Sequence, residues 1–177
     1  MNIQELQQKL KENHLPFIRH IKELPDTDFL YSHNSKWTAG QQLEHIVKSV
    51  GPVALALSLP GFMLKLVFGK SNRPSRSYDQ LIEKYKTKLE AGYKSNSRFA
   101  PHPVTLEQRD SLLKKLFKSI HTLSGRINTF SEKQLDTLIL PHPLLGKLTL
   151  REMLYFTIYH VTHHERQVIE HLKKKTD

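Results

Sequence analysis

At the start of three apolar-periodic runs in this chain a threonine stands three residues ahead of a glutamine or glutamate: Thr38 with Gln41, Thr105 with Gln108, and Thr149 with Glu152. In such a pair the hydroxyl accepts the backbone amide of the third helical residue, and that residue's side chain reaches back to the cap amide. Each pair therefore marks a helix start. The run behind Thr38 carries Leu43, Ile46, Val50, Ala54 and Leu57 on one face and ends before Pro60-Gly61. Behind Thr105 come Leu112, Leu116, Ile120, Leu123 and Ile127, and behind Thr149 come Leu150, Leu154, Ile158, Val161, Val168 and Leu172. A fourth run, Asn2 to Leu24, has Ile3, Leu6, Leu10, Phe17 and Ile21 at helical spacing, with Pro16 expected to kink or interrupt it.

Four long helical patterns and no alternating strand pattern predict an all-α four-helix bundle, one domain over residues 1–177. The connection from Phe62 to Pro103 is too long for a hairpin. It predicts a crossover, with the second and third long helices parallel, so the expected topology is up-down-down-up. Inside the crossover, Phe62–Phe68 is a short apolar piece, and Tyr78–Ala91 reads as a helix stopped by Gly92. Phe29–Lys36 and Leu138–Leu148 read as loops, and Ser131–Gln134 as the start of a short helical turn.

Composition narrows the chemistry. A chain of 177 residues can bury a core without disulfides, and this one has no cysteine. A cysteine nucleophile and a thiolate metal site are thereby excluded, and any metal must be held by His, Asp or Glu. The polar N-terminus and the broken apolar run Val50–Phe68 resemble neither a signal peptide nor a membrane span, so a cytoplasmic protein is expected. The formal net charge is +10, but the basic residues are scattered. A solvated basic surface is the reading preferred over nucleic-acid binding, for which no motif is present.

The last run holds Tyr159-His160-Val161-Thr162-His163-His164-Glu165-Arg166-Gln167. Positions four apart lie roughly 40° apart around a helix, so His160 and His164 project side by side and can share one metal ion. His163 turns about 100° from His164 and is the poorer partner. The other reading of such a pair is two satisfied core histidines. His45 lies on a helix whose short, neutral sides suggest packing nearly all round, and periodicity leaves its role open.

Two segments together resemble the DinB-like superfamily of metal-binding four-helix bundles, which includes the YfiT-like proteins. The first is Trp37-Thr38-Ala39-Gly40-Gln41-Gln42-Leu43-Glu44-His45-Ile46. The second runs from His142-Pro143-Leu144-Leu145-Gly146-Lys147-Leu148-Thr149 into Tyr159-His160 and His163-His164-Glu165-Arg166-Gln167. The resemblance implies that His45, His160 and His164 form a three-histidine site for a divalent ion, commonly nickel or zinc. It also implies a metal-dependent hydrolase or a transferase of low-molecular-weight thiols to small electrophiles, and commonly a homodimer. The alternatives are a non-enzymatic metal-binding stress protein on the same bundle and, more distantly, a basic nucleic-acid-binding module.

Other side chains receive expected roles on the same footing. Glu165 does not complete a His-Glu-x-x-His motif and is read as a structural ion-pair partner. Gln41 and Gln167 are candidates for hydrogen bonds to a ligand imidazole, against capping and surface roles. Trp37 is read as packing the bundle end. Tyr155 and Tyr159 are placed on the outer side of the last helix, as a dimer contact. His14, His20, His33, His102, His121, His142 and His171 are read as structural or exposed. Metal affinity is expected to fall below the imidazole pKa of about 6.5.

Overall fold

The computed structural model describes residues 1–93 and 97–175. The four long patterns form helices α1 (Ile3–Glu23), α3 (Ala39–Leu57), α6 (Arg109–Ile127) and α8 (Leu150–Lys173). Between them lie α2 (Asp26–Phe29), α4 (Gly61–Phe68), α5 (Tyr78–Glu90), a single 3-10 turn at Leu106–Gln108, and α7 (Glu132–Thr137). The caps at Thr38 and Thr149 form with their reciprocal bonds, at Thr105 the Gln108 carboxamide accepts the cap amide at 2.9 Å, and Asn2, Ser77 and Ser131 add three more capping boxes. Helix α1 runs unbroken through Pro16.

Side-chain bonds fix the helix directions. Asn13 of α1 donates to the Ile158 carbonyl of α8 at 3.0 Å, and His20 faces Glu165 seven residues further along, so α1 and α8 are parallel. Gln7 reaches Ser124, while Arg109 reaches Ile21, making α6 antiparallel to α1. Gln42 and His45 of α3 meet Gln167 and His160 of α8 in antiparallel order. The result is the up-down-down-up bundle, with a core running from Leu6 and Leu10 through Leu43 and Ile46 to Leu116, Leu154 and Val161.

Four expectations need correction. Residues 138–148 are a β-hairpin, β1 (Ile139–His142) and β2 (Gly146–Thr149), with Leu140 opposite Leu148 and His142 opposite Gly146. Its strands are four residues long and contain Pro141, too short for alternation to be read; Gly146, at φ +79°, accommodates the left-handed turn position. Phe29, expected at the start of a loop, instead closes a helical turn over Asp26–Phe29, and it buries its ring against Gly40, where a Cβ would meet it at 2.8 Å. Trp37 does not simply close the bundle end: it lines the cavity described below, its ring centroid 5.1 Å from that of His45. Tyr155 does not form an outer face. It is buried, its hydroxyl takes a hydrogen bond from the Met1 amino group, and Tyr159 is half-buried beside Tyr85. The large exposed apolar side chains include Phe62, Leu66 and Val67 on α4, Leu55 on α3 and Phe117 on α6. Among the described residues no single helix is long and apolar enough to cross a membrane; α3 and α4 meet the criterion only together, and they join at a bend of 113°.

The crossover is tied to α8 by one buried carboxylate. Glu152 caps Thr149 at 3.0 Å and receives Arg73 through two bonds of 2.7 and 2.8 Å. The Arg76 amide adds a bond of 2.8 Å. Burial alone would raise the Glu152 pKa, but these donors hold it below the usual carboxylate value. This anchor sets α5 against α8 and delivers Tyr85 to the site.

Candidate metal centre

Helix α8 presents His160 and His164 one turn apart, and α3 brings His45 against them. All three are buried. Nε2 of His160 lies 3.2 Å from Nε2 of His45 and 2.9 Å from Nε2 of His164. One nitrogen from each ring falls within 4.8 Å of the others, a group able to hold a metal ion. No other group of three His, Cys, Asp or Glu side chains with this property occurs among the described residues.

The far nitrogens decide what the near ones can do. His45 donates from Nδ1 to the Phe99 carbonyl at 2.8 Å. His164 donates from Nδ1 to Oε1 of Gln42 in a short bond. Both rings then carry their proton on Nδ1 and turn a lone pair inward from Nε2. Nε2 of His160 can donate to one of them at most. Without a cation, at least one of the inward lone pairs is left with no proton of its own in a buried site. A divalent ion removes that deficit, and nitrogen ligands about 2.0–2.1 Å from a metal lie roughly 3 Å from one another. The donor set fits the ion.

Electrostatics point the same way. Burial, reinforced by the neighbouring imidazoles, pulls the pKa of His160 and of His164 well below 6.5. For His45, burial dominates over the Phe99 carbonyl, which acts in the other direction. All three are neutral ligands at pH 7.

The supports of the site are built by neighbouring elements. The loop carrying Phe99 is held to α3 by Glu44, which accepts the His102 amide at 2.6 Å, and by Lys48, which donates to the Ala100 carbonyl at 2.9 Å. On the other side a chain of amides continues outward. Gln42 Nε2 donates to Gln167 Oε1 at 3.2 Å, and Gln167 Nε2 donates to His163 Nε2 at 3.0 Å.

A cavity of about 950 Å³ opens onto the three histidines. Tyr85, Trp37, Phe156, His142 and His163 stand in its wall. Tyr85 is buried, with its ring edge-on to Phe156 and 6.2 Å from the His160 ring. Among the described residues its hydroxyl has no protein hydrogen-bond partner. Burial, then the nearby Tyr159, pushes its pKa far up, so it is a neutral donor beside the histidines.

The structure therefore brings His45, His160 and His164 together and keeps His163 out of the triad, although in the cavity wall. Gln41 does not touch a ligand imidazole. Its carboxamide caps the Thr38 amide at 3.0 Å, and Gln42 takes the role instead. Gln167 acts one step removed, through Gln42. Glu165 lies 3.9 Å from His20, away from the cavity, and burial, against the pull of His20, raises its pKa. Of the remaining histidines, His142 and His171 line the cavity; His14 is fully buried, and His121 is exposed. Gln41 and Gln42 both lie one turn before His45, and the commitment of Gln41 to the Thr38 cap is the signal that leaves Gln42 for the imidazole. Tyr85 and the Phe99 carbonyl come from the crossover, and nothing local in the sequence points at them.

The sequence matches the DinB superfamily over residues 10–168. This chain belongs to the DinB superfamily. Among solved structures it is similar to TT2238, described as a four-helix bundle protein, with 15% identity and a TM-score of 0.60 over 96% of this chain and 99% of that one. It is also similar to an uncharacterized protein from Clostridium difficile 630, with 13% identity and a TM-score of 0.60 over 98% and 96% of the two chains. No curated protein matches the chain.

Proposed function

We propose that this DinB superfamily member is a metal-dependent enzyme. In this reading His45, His160 and His164 hold one divalent ion, nickel or zinc, and the reaction joins water or a low-molecular-weight thiol to a small electrophile. The observation that carries the reading is the convergence of three inward-facing Nε2 atoms on one buried point, two of them tautomer-fixed by Phe99 and Gln42.

When bound at such a site, the ion lowers the pKa of a coordinated water or thiol and polarises a carbonyl. The protein residues have separate tasks. Phe99 and Gln42 hold two rings in orientation, so the donor set does not reorganise. Tyr85 offers a neutral hydroxyl to an acceptor oxygen of the substrate. Trp37 and Phe156 flank the histidines and displace water from them. His163, its Nε2 occupied by Gln167, faces the same cavity as a neutral ring, since burial and then Arg166 lower its pKa.

The test is a paired assay on nickel- and zinc-loaded protein. One arm supplies a low-molecular-weight thiol with a chlorodinitrobenzene electrophile; the other supplies a nitrophenyl ester and water. Turnover in one arm, lost in His160→Ala and kept in His121→Ala, is expected. Stoichiometric metal with no turnover in either arm would replace this reading with a non-enzymatic metal-binding protein.

A further inference from the structure

The cavity has two unlike ends. Its wall follows α8 from Met153 to Lys174, with the charged residues Glu170 and Lys174 beyond the histidines toward the C-terminal end of the helix; Lys36 and Arg98 are the other charged residues in the wall. Toward the N-terminal end the wall is made by Met153 and Phe156, by Val53 and Ala56 of α3, and by Leu140 and Leu144 of the hairpin. None of these residues is charged. The polar groups there are already satisfied or neutral. Thr157 donates its hydroxyl to the Met153 carbonyl at 2.8 Å. His142 accepts the Leu144 and Leu145 amides at its Nδ1, at 3.1 and 3.0 Å, and burial lowers its pKa to about 4. Apart from the Nε2–H of the neutral His142 ring, the side chains named here offer the cavity no free donor and no charge.

We infer that this end is a pouch for the apolar arm of the substrate, whose reactive head is held at His45, His160 and His164. The substrate class is a small molecule with an unbranched or flat apolar arm attached to a metal-binding head. The inference rests on the proposed metal reading for the head and on the cavity wall alone for the arm. From His160 to Met153 the helix covers seven residues, about 10 Å, which suits an extended arm of roughly six to eight carbons. The hairpin closes the pouch at that depth, so β1 and β2 set the length limit.

Two ligand series, followed by calorimetry, separate the arm from the head. Straight-chain alkanols of four to twelve carbons are titrated into metal-free protein, and alkyl hydroxamates of the same lengths into nickel-loaded protein. Affinity is expected to climb about three- to fourfold per methylene and to level off near eight carbons. Ala56→Phe should bring the plateau two to three carbons earlier with unchanged nickel content, and Leu144→Ala should move it later. Affinity independent of chain length in both series, or climbing without a break to twelve carbons, overturns the pouch. If the wild type takes up no nickel but the alkanol series behaves as expected, the pouch stands and the metal reading fails. If hydroxamates bind the nickel protein with no dependence on chain length, the metal reading stands and the pouch falls.

Discussion

Nε2 of His45 lies 3.2 Å from Nε2 of His160, although 115 positions separate them in the chain. Two neutral imidazoles can share one proton at that distance, but His164 presses a third nitrogen on the same point from 2.9 Å. The His45 and His164 protons are committed outward, to Phe99 and Gln42. The arrangement is stable as a ligand set for a cation and frustrated as a hydrogen-bonded cluster.

Adjacent glutamines should separate cleanly. Gln42→Ala removes the acceptor that fixes the His164 ring and should weaken metal binding about 10- to 100-fold. Gln41→Ala loses only a helix cap, costing about 1 kcal/mol of stability with metal affinity unchanged. Competition against a chelator, paired with urea unfolding of the metal-free proteins, measures both.

The contrast shows what the sequence could and could not reveal. Capping boxes and apolar periodicity made the four long helices legible, and the parallel middle pair followed from the length of the crossover. His160 and His164 were legible because four residues bring side chains back to one helix face. His45 needed the resemblance, since its own helix is apolar or small on most sides. Gln42 and Gln41 differ by one residue, and only the side chain's commitment to Thr38 tells them apart. The hairpin escaped because Pro141 sits within a strand of four residues, and Tyr155 escaped because the N-terminus folds over a face that periodicity left open.

Acid should destabilise the fold through His14. This ring is fully buried, donates from Nδ1 to the Leu10 carbonyl at 2.8 Å, and leaves Nε2 without a partner. Burial lowers its pKa to about 4, opposed by the Leu10 carbonyl. Between pH 6.5 and 4 the unfolded chain binds the extra proton and the folded chain does not, so stability is lost as pH falls through that window. The full loss from this residue is about 3 kcal/mol. His14→Leu should flatten that limb of the stability curve, measured by urea unfolding at pH 7, 5.5 and 4. An unchanged slope would remove His14 from the account.

Metal retention should extend to lower pH than an ordinary imidazole allows. Burial lowers the pKa of all three ligands, with mutual repulsion adding to it for His160 and His164. Less competition from protons is therefore expected below pH 6.5 than for exposed histidines. Equilibrium dialysis against nickel across pH 7.5 to 4.5 should place half-loading below the value near 6.5 that unperturbed histidines predict.

Arg73→Ala should cost about 2–3 kcal/mol, because it strips the buried Glu152 carboxylate of its bidentate partner and leaves the Arg76 contacts alone. Hydrogen exchange should quicken first in α5, which the Arg73 anchor holds against α8. Exchange that quickens uniformly instead would show that the crossover is held by other contacts.

The central claim is that three histidines hold one ion. The measurement is metal content after reloading with nickel or zinc and removal of excess, on the wild type and on four single variants. One ion per chain is expected in the wild type and in His163→Ala, whose ring lies outside the convergent triad. His45→Ala, His160→Ala and His164→Ala should each retain less than about a tenth of it while keeping the helical spectrum, because the apolar core beside them is intact. A wild type that refuses every divalent ion, or a His160→Ala variant that keeps its ion while His163→Ala loses it, would contradict the account.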